Sequence, residues 1–406
     1  MSEPATIPDF LELIRQSGAF DAARLDAALA RIVLARIPPR EPKRLAAVLV
    51  GQHLMTAWQA RMVLRGRPAD LTLGNYIIHE PLGWGGMGVV YLAEHRHLRR
   101  WVALKVLPRI LARHRWFLEQ FYHEARAVAA LDHPNIVRAN DVGNRGNLHF
   151  LVMGYVDGTN LDTIVQKHGP LDFRRAAHYV RQAAEGLQHA FAAGLVHRDI
   201  KPANLLLDRR GTVKVLDLGL ACFLRDRTEA AQSGNGVRNT VGTDDYLAPE
   251  QIVDSDDVDT RADVYGLGAT LYFLLTGQAP FEDETLPSQK LVAHLTRAPR
   301  PIAQLRPEVP PELAVVVSQM MAKNPWERYQ TPAAVAAALE PWCREPIPPP
   351  PAEEMPSRRA GDSPADPADA SPTVAGASSG KRTWVVLDGK GAAPPAAPKG
   401  HPAALG

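Results

Sequence analysis

The chain has 406 residues, of which 46% are hydrophobic, and a formal net charge of +2. This length accommodates two or three domains, and the small charge excess argues against a nucleic-acid-binding or membrane-surface protein. The two cysteines, Cys222 and Cys343, lack C-x-x-C spacing, which disfavours a disulfide framework or zinc site and fits a reducing cytoplasm. The longest apolar stretch is shorter than the roughly 20 residues of a membrane span. We therefore expect a cytoplasmic protein with no membrane span and no nucleic-acid partner.

Residues 1–70 have the periodicity of three amphipathic helices. Asp9 is the expected N-cap of the first helix, and Gly18 provides its stop. The second helix includes residues 28–33, and the third runs from Leu45 to Leu64. These helices predict a small bundle or a cover on a larger domain, and none of their residues indicates chemistry.

Strand-like runs begin at Tyr76 and recur at residues 89–93, 101–106 and 148–153, whereas longer helical periodicities dominate from Leu171. This order predicts a small sheet-rich lobe followed by a larger helical lobe. From Pro346 the chain contains 13 prolines in 61 residues and one aromatic residue. We expect residues 346–406 to be a disordered, Pro/Ala-rich tail because they bury too little apolar surface.

A glycine-rich segment between Leu82 and Val90 provides the first phosphate-handling signal. Its glycines allow tight backbone turns that bring N–H groups against phosphate oxygens; they are Gly83, Gly85, Gly86 and Gly88. Such a motif also fits a Rossmann turn or a simple loop. However, residues 89–91 continue as a strand rather than a helix, which argues against the Rossmann alternative.

Lys105 lies in an apolar strand, 22 residues after Gly83. A buried lysine costs desolvation free energy unless a partner holds its charge. An ATP phosphate and the carboxylate of Glu124, in the helical run 117–131, are the predicted partners. The alternative interpretation is a lysine that snorkels at a sheet edge.

The densest signal is the segment from His197 to Asn204, followed 18 residues after Asp199 by Asp217-Leu218-Gly219. Phosphoryl transfer requires mainly that groups are positioned and charge is neutralised. Asp199 can orient an attacking hydroxyl, Lys201 can reach the transferring phosphate, and Asn204 and Asp217 offer the hard oxygen ligands that magnesium prefers.

With these motifs the chain resembles a eukaryotic-like (Hanks-type) bacterial serine/threonine protein kinase over about residues 76–343. Further family motifs follow in the same order: Ala248-Pro249-Glu250, Asp263 and Arg328. The resemblance implies an α+β bilobal kinase fold, with an N-lobe at about 76–153 and a C-lobe at about 157–343. The helical extension and the tail flank this domain.

The resemblance also implies residue roles. Lys105 would hold the α- and β-phosphates of ATP and pair with Glu124, Asp199 would be the catalytic base, and Asn204 and Asp217 would bind Mg²⁺. Glu250 would pair with Arg328. The adenine site would comprise the gatekeeper, the hinge and the residues that sandwich the ring: Met153, the Gly154 carbonyl, the Val156 amide, Val90, Ala103 and Leu206.

Substrate class and regulation follow from the same resemblance. Lys201-Pro202-Ala203 and Gly242-Thr243 are typical of serine/threonine kinases, and Thr240 is the expected autophosphorylation site, paired with Arg198. Thr243 would contact Asp199 and Lys201. Asp244 and Asp245 favour basic peptides, whereas Ala203 points the other way, so peptide preference stays open.

Two alternatives belong to other classes. A pseudokinase would use this fold as a nucleotide-binding scaffold, but it would have lost Lys105, Asp199 or Asp217, and the chain has all three. An adaptor would act through dimerisation or partner contacts of the N-terminal helices, with the kinase as a passenger. The favoured interpretation is an active kinase in bacterial signalling.

Overall fold

The structure is a computed structural model that describes residues 3–33, 39–85, 88–218, 244–253 and 258–357. The first four helices are α1 (Ile7–Ser17), α2 (Ala22–Val33), α3 (Pro42–Gly51) and α4 (Ala57–Leu64). Phe10, Leu25, Leu49 and Val63 belong to their shared apolar core, which also includes Ile77 of the following sheet. We call this cluster the helical core.

The sequence predicted three helices where the structure has four. The predicted third helix is divided between α3 and α4 because Gly51 ends α3 and His53 has a positive φ of 56°. Thr56 then caps α4 in a capping box with Gln59. The predicted N-cap of α1 was also wrong: Thr6 is the cap, and Asp9 is its capping-box partner three residues later.

A six-stranded sheet follows the helices, in the spatial order β1-β2-β3-β4-β6-β5. Its strands are β1 (Thr72–Leu73), β2 (Tyr76–Gly85), β3 (Gly88–His95), β4 (Trp101–Val106), β5 (Ala139–Arg145) and β6 (Leu148–Gly154). Helices α5 (Arg109–Ala112) and α6 (Arg115–Ala129) lie between β4 and β5. The four predicted strand segments fall within β2, β3, β4 and β6.

The second lobe is mainly helical and packs around the large apolar cluster that we call the main core. A small antiparallel sheet near its start consists of β7 (Gly158–Asn160), β8 (Leu205–Asp208) and β9 (Val213–Val215). The helices are α7 (Leu161–His168), α8 (Phe173–Ala192), α9 (Pro249–Val253), α10 (Thr260–Thr276), α11 (Pro287–Thr296), α12 (Ile302–Leu305), α13 (Pro311–Met320) and α14 (Pro332–Leu339). The predicted α+β bilobal fold is confirmed.

The first part of the proline-rich region corrects the predicted boundary of the tail. Residues 346–357 lie against the second lobe, where Met355 joins the main core and Glu354 forms an ion pair with Arg175. Arg209 donates a hydrogen bond to the carbonyl of Pro356. Composition alone missed these specific anchors, and prolines reduce the entropy lost on ordering an extended segment. Residues 358–406 of the predicted tail lie outside the described residues.

Glu354→Ala should lower the free energy of unfolding by about 3 kcal/mol, because it leaves the half-buried Arg175 guanidinium without its carboxylate. The two groups make hydrogen bonds of 3.0 and 2.7 Å, and the Glu354 side chain is 7% exposed. The matched control is Glu345→Ala, because the Glu345–Arg174 pair is 70% and 48% exposed and should contribute less than about 1 kcal/mol. Urea denaturation of both variants measures the difference; equal losses would contradict the anchoring role.

No helix among the described residues is both long and apolar enough to cross a membrane.

Candidate active site

The glycine-rich segment forms the hairpin between β2 and β3, as its position after one strand and before another predicted. Gly83 pairs with Val90, and Gly85 pairs with Gly88 across the hairpin. Gly88 has a φ of 119°, and a Cβ there would come within 2.0 Å of the Val106 carbonyl oxygen. Only glycine therefore allows this hairpin to lie so close to β4.

Lys105 lies in β4, opposite Val90 of β3 and Leu151 of β6. It is 5% exposed, and its Nζ lies 2.9 Å from Oδ1 of Asp217. This ion pair joins the sheet of the first lobe to the loop after β9 in the second lobe. The structure thus brings two of the predicted phosphate- and metal-binding residues together.

Glu124, the predicted partner of Lys105, is buried in α6. Gln120 donates a hydrogen bond of 3.5 Å to its carboxylate. Burial raises the pKa of Glu124 to about 8, although the Gln120 hydrogen bond and the charge of Lys105 oppose this rise. The ion pair shown for Lys105 is with Asp217, so the predicted Lys105–Glu124 pairing stays a prediction.

The raised pKa of Glu124 predicts a pH-dependent stability. Between 4.5, its ordinary pKa, and about 8, the folded chain retains a proton that the unfolded chain has released. The free energy of unfolding should therefore fall as the pH rises from about 5 to about 8 without nucleotide. Glu124→Gln should remove this slope, whereas Glu119→Gln, on an exposed site of the same helix, should retain it. An unchanged slope in Glu124→Gln would contradict the assignment.

Asp263, a buried residue near the start of α10, holds the backbone at the start of the loop from His197 to Asn204. Its Oδ2 accepts a hydrogen bond of 2.8 Å from the His197 amide, and its Oδ1 accepts one of 2.7 Å from the Arg198 amide. Burial raises the pKa of Asp263, and the nearby His197 and these two hydrogen bonds oppose the rise. Arg198 adopts a positive φ of 64°, so two hydrogen bonds stabilise a conformation that costs free energy.

His197 connects this loop to the segment that carries Asp217. The Asp199 amide donates to His197 Nδ1 at 3.2 Å, which leaves the proton on Nε2. Nε2 then donates to the Leu216 carbonyl at 2.6 Å. Because Leu216 directly precedes Asp217, one buried imidazole fixes the spacing between the two carboxylates.

Asp199, Lys201 and Asn204 form one hydrogen-bonded group. Lys201 Nζ lies 3.0 Å from Asp199 Oδ2, and Asn204 Nδ2 donates to the same oxygen at 3.0 Å and to the Asp199 carbonyl at 2.7 Å. The Asp199 carboxylate is 13% exposed. A partly open carboxylate with two fixed donors is suited to orient a hydroxyl group.

Asn204 and Asp217 also meet a chemical requirement of a magnesium site. Asn204 Nδ2 donates to both the carboxylate and the carbonyl of Asp199, so Asn204 Oδ1 is left as an acceptor atom. The Leu216 amide donates to the Asn204 backbone carbonyl at 2.9 Å. Asp217 has a second carboxylate oxygen besides the one that contacts Lys105. The donor set consists of hard oxygens, which fits magnesium.

Most of the predicted adenine-site residues belong to the main core or pack against it. Ala103 pairs with Met153 across β4 and β6. Ala103, Met153, Val156 and Leu206 are buried members of this core, and Leu82 and Val90 pack against it. Strands from both lobes thus bring these side chains into one apolar cluster.

A small cavity lies behind this cluster, between α6 and the Asp217 loop. It is lined by Met153, by Asp217 and Leu218, and by Ala125 and Val128 of α6. Leu218 is buried at this cavity. Its apolar side chain therefore lines the same cavity as the α6 residues Ala125 and Val128.

Two ion pairs stabilise the helical second lobe near residues 245–250. Arg328 makes two hydrogen bonds of 2.6 and 2.8 Å to Glu250, which confirms the predicted pair. Asp245 Oδ1 lies 2.5 Å from Lys290 Nζ. Because Lys290 neutralises Asp245, this carboxylate gives little support to a preference for basic peptides.

Several predicted positions lie outside the described residues. They are Gly86 of the glycine-rich segment, Gly219 of Asp217-Leu218-Gly219, and the two predicted regulatory threonines, Thr240 and Thr243. Their predicted roles stay predictions.

Sequence reasoning assigned no role to several residues that support the site. Asp263 was named as a family motif but was given no structural role. An acidic residue in an apolar helix indicates a buried carboxylate that needs hydrogen-bond donors. The contact of Thr56 and Gln59 with β2 was also missed. Their T-x-x-Q spacing is a capping-box signal that marks the start of α4.

Comparison with known proteins now identifies the family. Residues 76–342 match the protein kinase domain family, so the chain belongs to it. It is 42% identical over 272 residues to serine/threonine-protein kinase PknB of Mycolicibacterium smegmatis, and 36% identical over 267 residues to PrkC of Bacillus subtilis. These alignments cover 65% and 66% of this chain, and 42% and 40% of those proteins. The chain thus spans about two fifths of the length of these curated relatives.

Solved structures agree with this assignment. The crystal structure of a cysteine-to-alanine mutant of the PknI kinase domain of Mycobacterium tuberculosis superimposes with a TM-score of 0.52 at 28% sequence identity. The similarity covers 67% of this chain and 96% of that domain. The kinase fold therefore occupies most of the described residues, and the N-terminal helices are additional to the matched segment.

Proposed function

We propose that the protein is a serine/threonine protein kinase that transfers the γ-phosphoryl group of Mg-ATP to hydroxyl groups of proteins in bacterial signalling. The observation that carries the proposal is the convergence of Lys105, Asp199, Asn204 and Asp217. They form two groups: Lys105 of β4 pairs with Asp217, and Asn204 hydrogen-bonds to Asp199. His197 connects the groups because its ring contacts both the Asp199 amide and the carbonyl of Leu216, which precedes Asp217. The names of the bacterial relatives, serine/threonine-protein kinases, support the substrate class.

In the proposed reaction the side chains position groups and neutralise charge. The Asp199 carboxylate orients the acceptor hydroxyl and receives its proton, and Lys201 stabilises negative charge on the phosphoryl group that moves. Lys105 holds the α- and β-phosphates, and the hairpin of β2 and β3 covers them with backbone N–H groups. The apolar cluster around Ala103, Met153 and Leu206 receives the adenine ring.

Asn204 and Asp217 are the proposed magnesium-holding residues. Magnesium would supply neutralisation of the phosphate charge when bound. The proposal further includes a cytoplasmic location, which the two cysteines without C-x-x-C spacing support. The N-terminal helices, which have a core of their own, are the proposed region for dimerisation or adaptor contacts.

Autophosphorylation of Thr240 is the proposed form of regulation. Arg198 is adjacent to Asp199 and bears a guanidinium group, which pairs well with a phosphate dianion. Incubation of the full chain with radiolabelled ATP, followed by phosphoamino-acid analysis and site mapping, tests both claims. We expect phosphoserine or phosphothreonine and a modified Thr240. Phosphotyrosine alone would overturn the substrate class, and fully active enzyme with unmodified Thr240 would overturn the regulation.

A further inference from the structure

The strand that leads into the glycine-rich hairpin is only partly supported by the sheet. β1 has two residues, which pair with Tyr76 and Ile77 of β2. β2 continues to Gly85, so beyond Ile77 one of its edges has no strand neighbour within the described sheet. Its pairing with β3 is also irregular at two places, between Ile78 and Glu80 and between Pro81 and Gly83. Irregular pairing weakens the ladder and changes the local twist.

The N-terminus of α4 supplies hydrogen bonds at the first of these irregularities. Thr56 Oγ1 donates to the carbonyl of His79 at 2.5 Å, and Gln59 Nε2 donates to the carbonyl of Ile78 at 2.8 Å. His79 is the residue skipped in the register between β2 and β3. Two consecutive carbonyls of β2 are therefore satisfied by side chains of the N-terminal helices.

The same two side chains also hold each other. The Gln59 amide donates to Thr56 Oγ1 at 3.1 Å, and the Thr56 amide donates to Gln59 Oε1 at 2.9 Å. Gln59 is 2% exposed. Thr56 Oγ1 both accepts from the Gln59 backbone amide and donates to β2, and the Gln59 side chain both accepts from the Thr56 backbone amide and donates to β2. Movement of either side chain would therefore break its contact with β2.

An aromatic contact extends this attachment to the second strand of the hairpin. Trp58, between the two polar residues, lies 5.8 Å from the ring of Tyr91 in β3. Tyr91 pairs with Pro81 of β2, next to the second irregularity. Ile77 of β2 belongs to the helical core. The start of α4 thus contacts both strands that carry the glycines.

We propose that Thr56 and Gln59 are positioning residues for the ATP site, which act by holding β2 in the conformation that places the glycine-rich hairpin over the phosphates. The inference rests on the proposed kinase function. His79 precedes Gly83 by four residues, so the twist set at the irregularity is carried directly into the hairpin. Under this proposal the N-terminal helices support the geometry of the nucleotide site and are not only a separate module.

The test uses the full chain and two readouts, the KM for ATP in steady-state phosphorylation and the Kd for ATP by titration calorimetry. Thr56→Val keeps the side-chain shape but removes its donor and acceptor. It should raise both constants by about five- to tenfold and change kcat at saturating ATP less than about twofold. Thr56→Ser keeps the hydroxyl and should restore both constants. Gln59→Met should behave like Thr56→Val.

A stability control separates positioning from general destabilisation. Leu25→Ala removes a buried side chain of α2 from the helical core and should lower the melting temperature without changing the KM for ATP. If Thr56→Val leaves the KM and the Kd unchanged, or if Leu25→Ala raises them equally, the positioning role is overturned. Absence of phosphoryl transfer in the unaltered protein would instead overturn the proposed kinase function, and ATP affinity would still report on Thr56.

Discussion

Asp199→Asn should lower the kcat for phosphoryl transfer by about three orders of magnitude, because the amide cannot accept the proton of the acceptor hydroxyl. The replacement has the same shape, and Lys201 and Asn204 lie close enough to hold the side chain in place. The Kd for ATP should change little, since the proposed mechanism assigns Asp199 to the acceptor hydroxyl rather than to the nucleotide. Single-turnover assays with radiolabelled ATP measure the chemical step separately from binding.

The matched control for this variant is Asp172→Asn. Asp172 caps α8 by accepting hydrogen bonds from the Arg174 and Arg175 amides, and asparagine caps helices about equally well. Asp172→Asn should therefore retain the activity of the unaltered protein. Retention of more than about a tenth of kcat by Asp199→Asn would exclude Asp199 as the base.

Lys105→Met should lower kcat/KM by about two to three orders of magnitude. Methionine fills the same space in β4, but the buried ammonium that faces Asp217 is lost, and with it the charge proposed to hold the phosphates. Asp217 also loses its partner, so the melting temperature should be measured beside the kinetics. ATP at saturating concentration should restore part of the rate if the loss lies mainly in binding.

Lys214→Met provides the control for removal of one lysine. Lys214 lies in β9, donates a hydrogen bond of 2.7 Å to the Pro134 carbonyl and is not one of the proposed nucleotide-site residues. Its replacement should leave kcat/KM nearly unchanged. Equal kinetic losses in Lys105→Met and Lys214→Met would contradict the role assigned to Lys105.

The parts of the site that could be predicted are those with a fixed order along the chain. Gly83 and Lys105 lie within strands, Asp217 follows one, and Asp199 precedes the apolar strand β8 by six residues. Residue types that are costly in or beside apolar strands indicate chemistry. The strands themselves were predictable because β-branched and apolar residues recur in short runs. Sequence order therefore indicated both the lobes and the residues that meet between them.

The contacts that could not be predicted depend on residues distant in sequence. Asp263 caps the loop at His197 and Arg198, and Lys290 neutralises Asp245, yet neither spacing is local. β5 was missed because most of its residues are polar or glycine and several are exposed. Its pairing with β6 overrides its weak strand propensity.

The proline-rich segment also shows that composition does not reveal individual tertiary contacts. Its average composition predicts disorder, but stability depends on individual anchors such as Met355 and Glu354. Likewise, the apolar pattern of the N-terminal helices predicted that they form a bundle or a cover. It could not predict that Thr56 and Gln59 would hydrogen-bond to β2.

Titration calorimetry of ATP into the full chain, with and without magnesium, tests the central claim most directly, namely that Lys105, Asn204 and Asp217 line one nucleotide site. We expect one ATP per chain, tighter binding with magnesium, and loss of that gain in Asp217→Ala. An absence of ATP binding, or an equal affinity in the unaltered protein, Lys105→Met and Asp217→Ala, would contradict it.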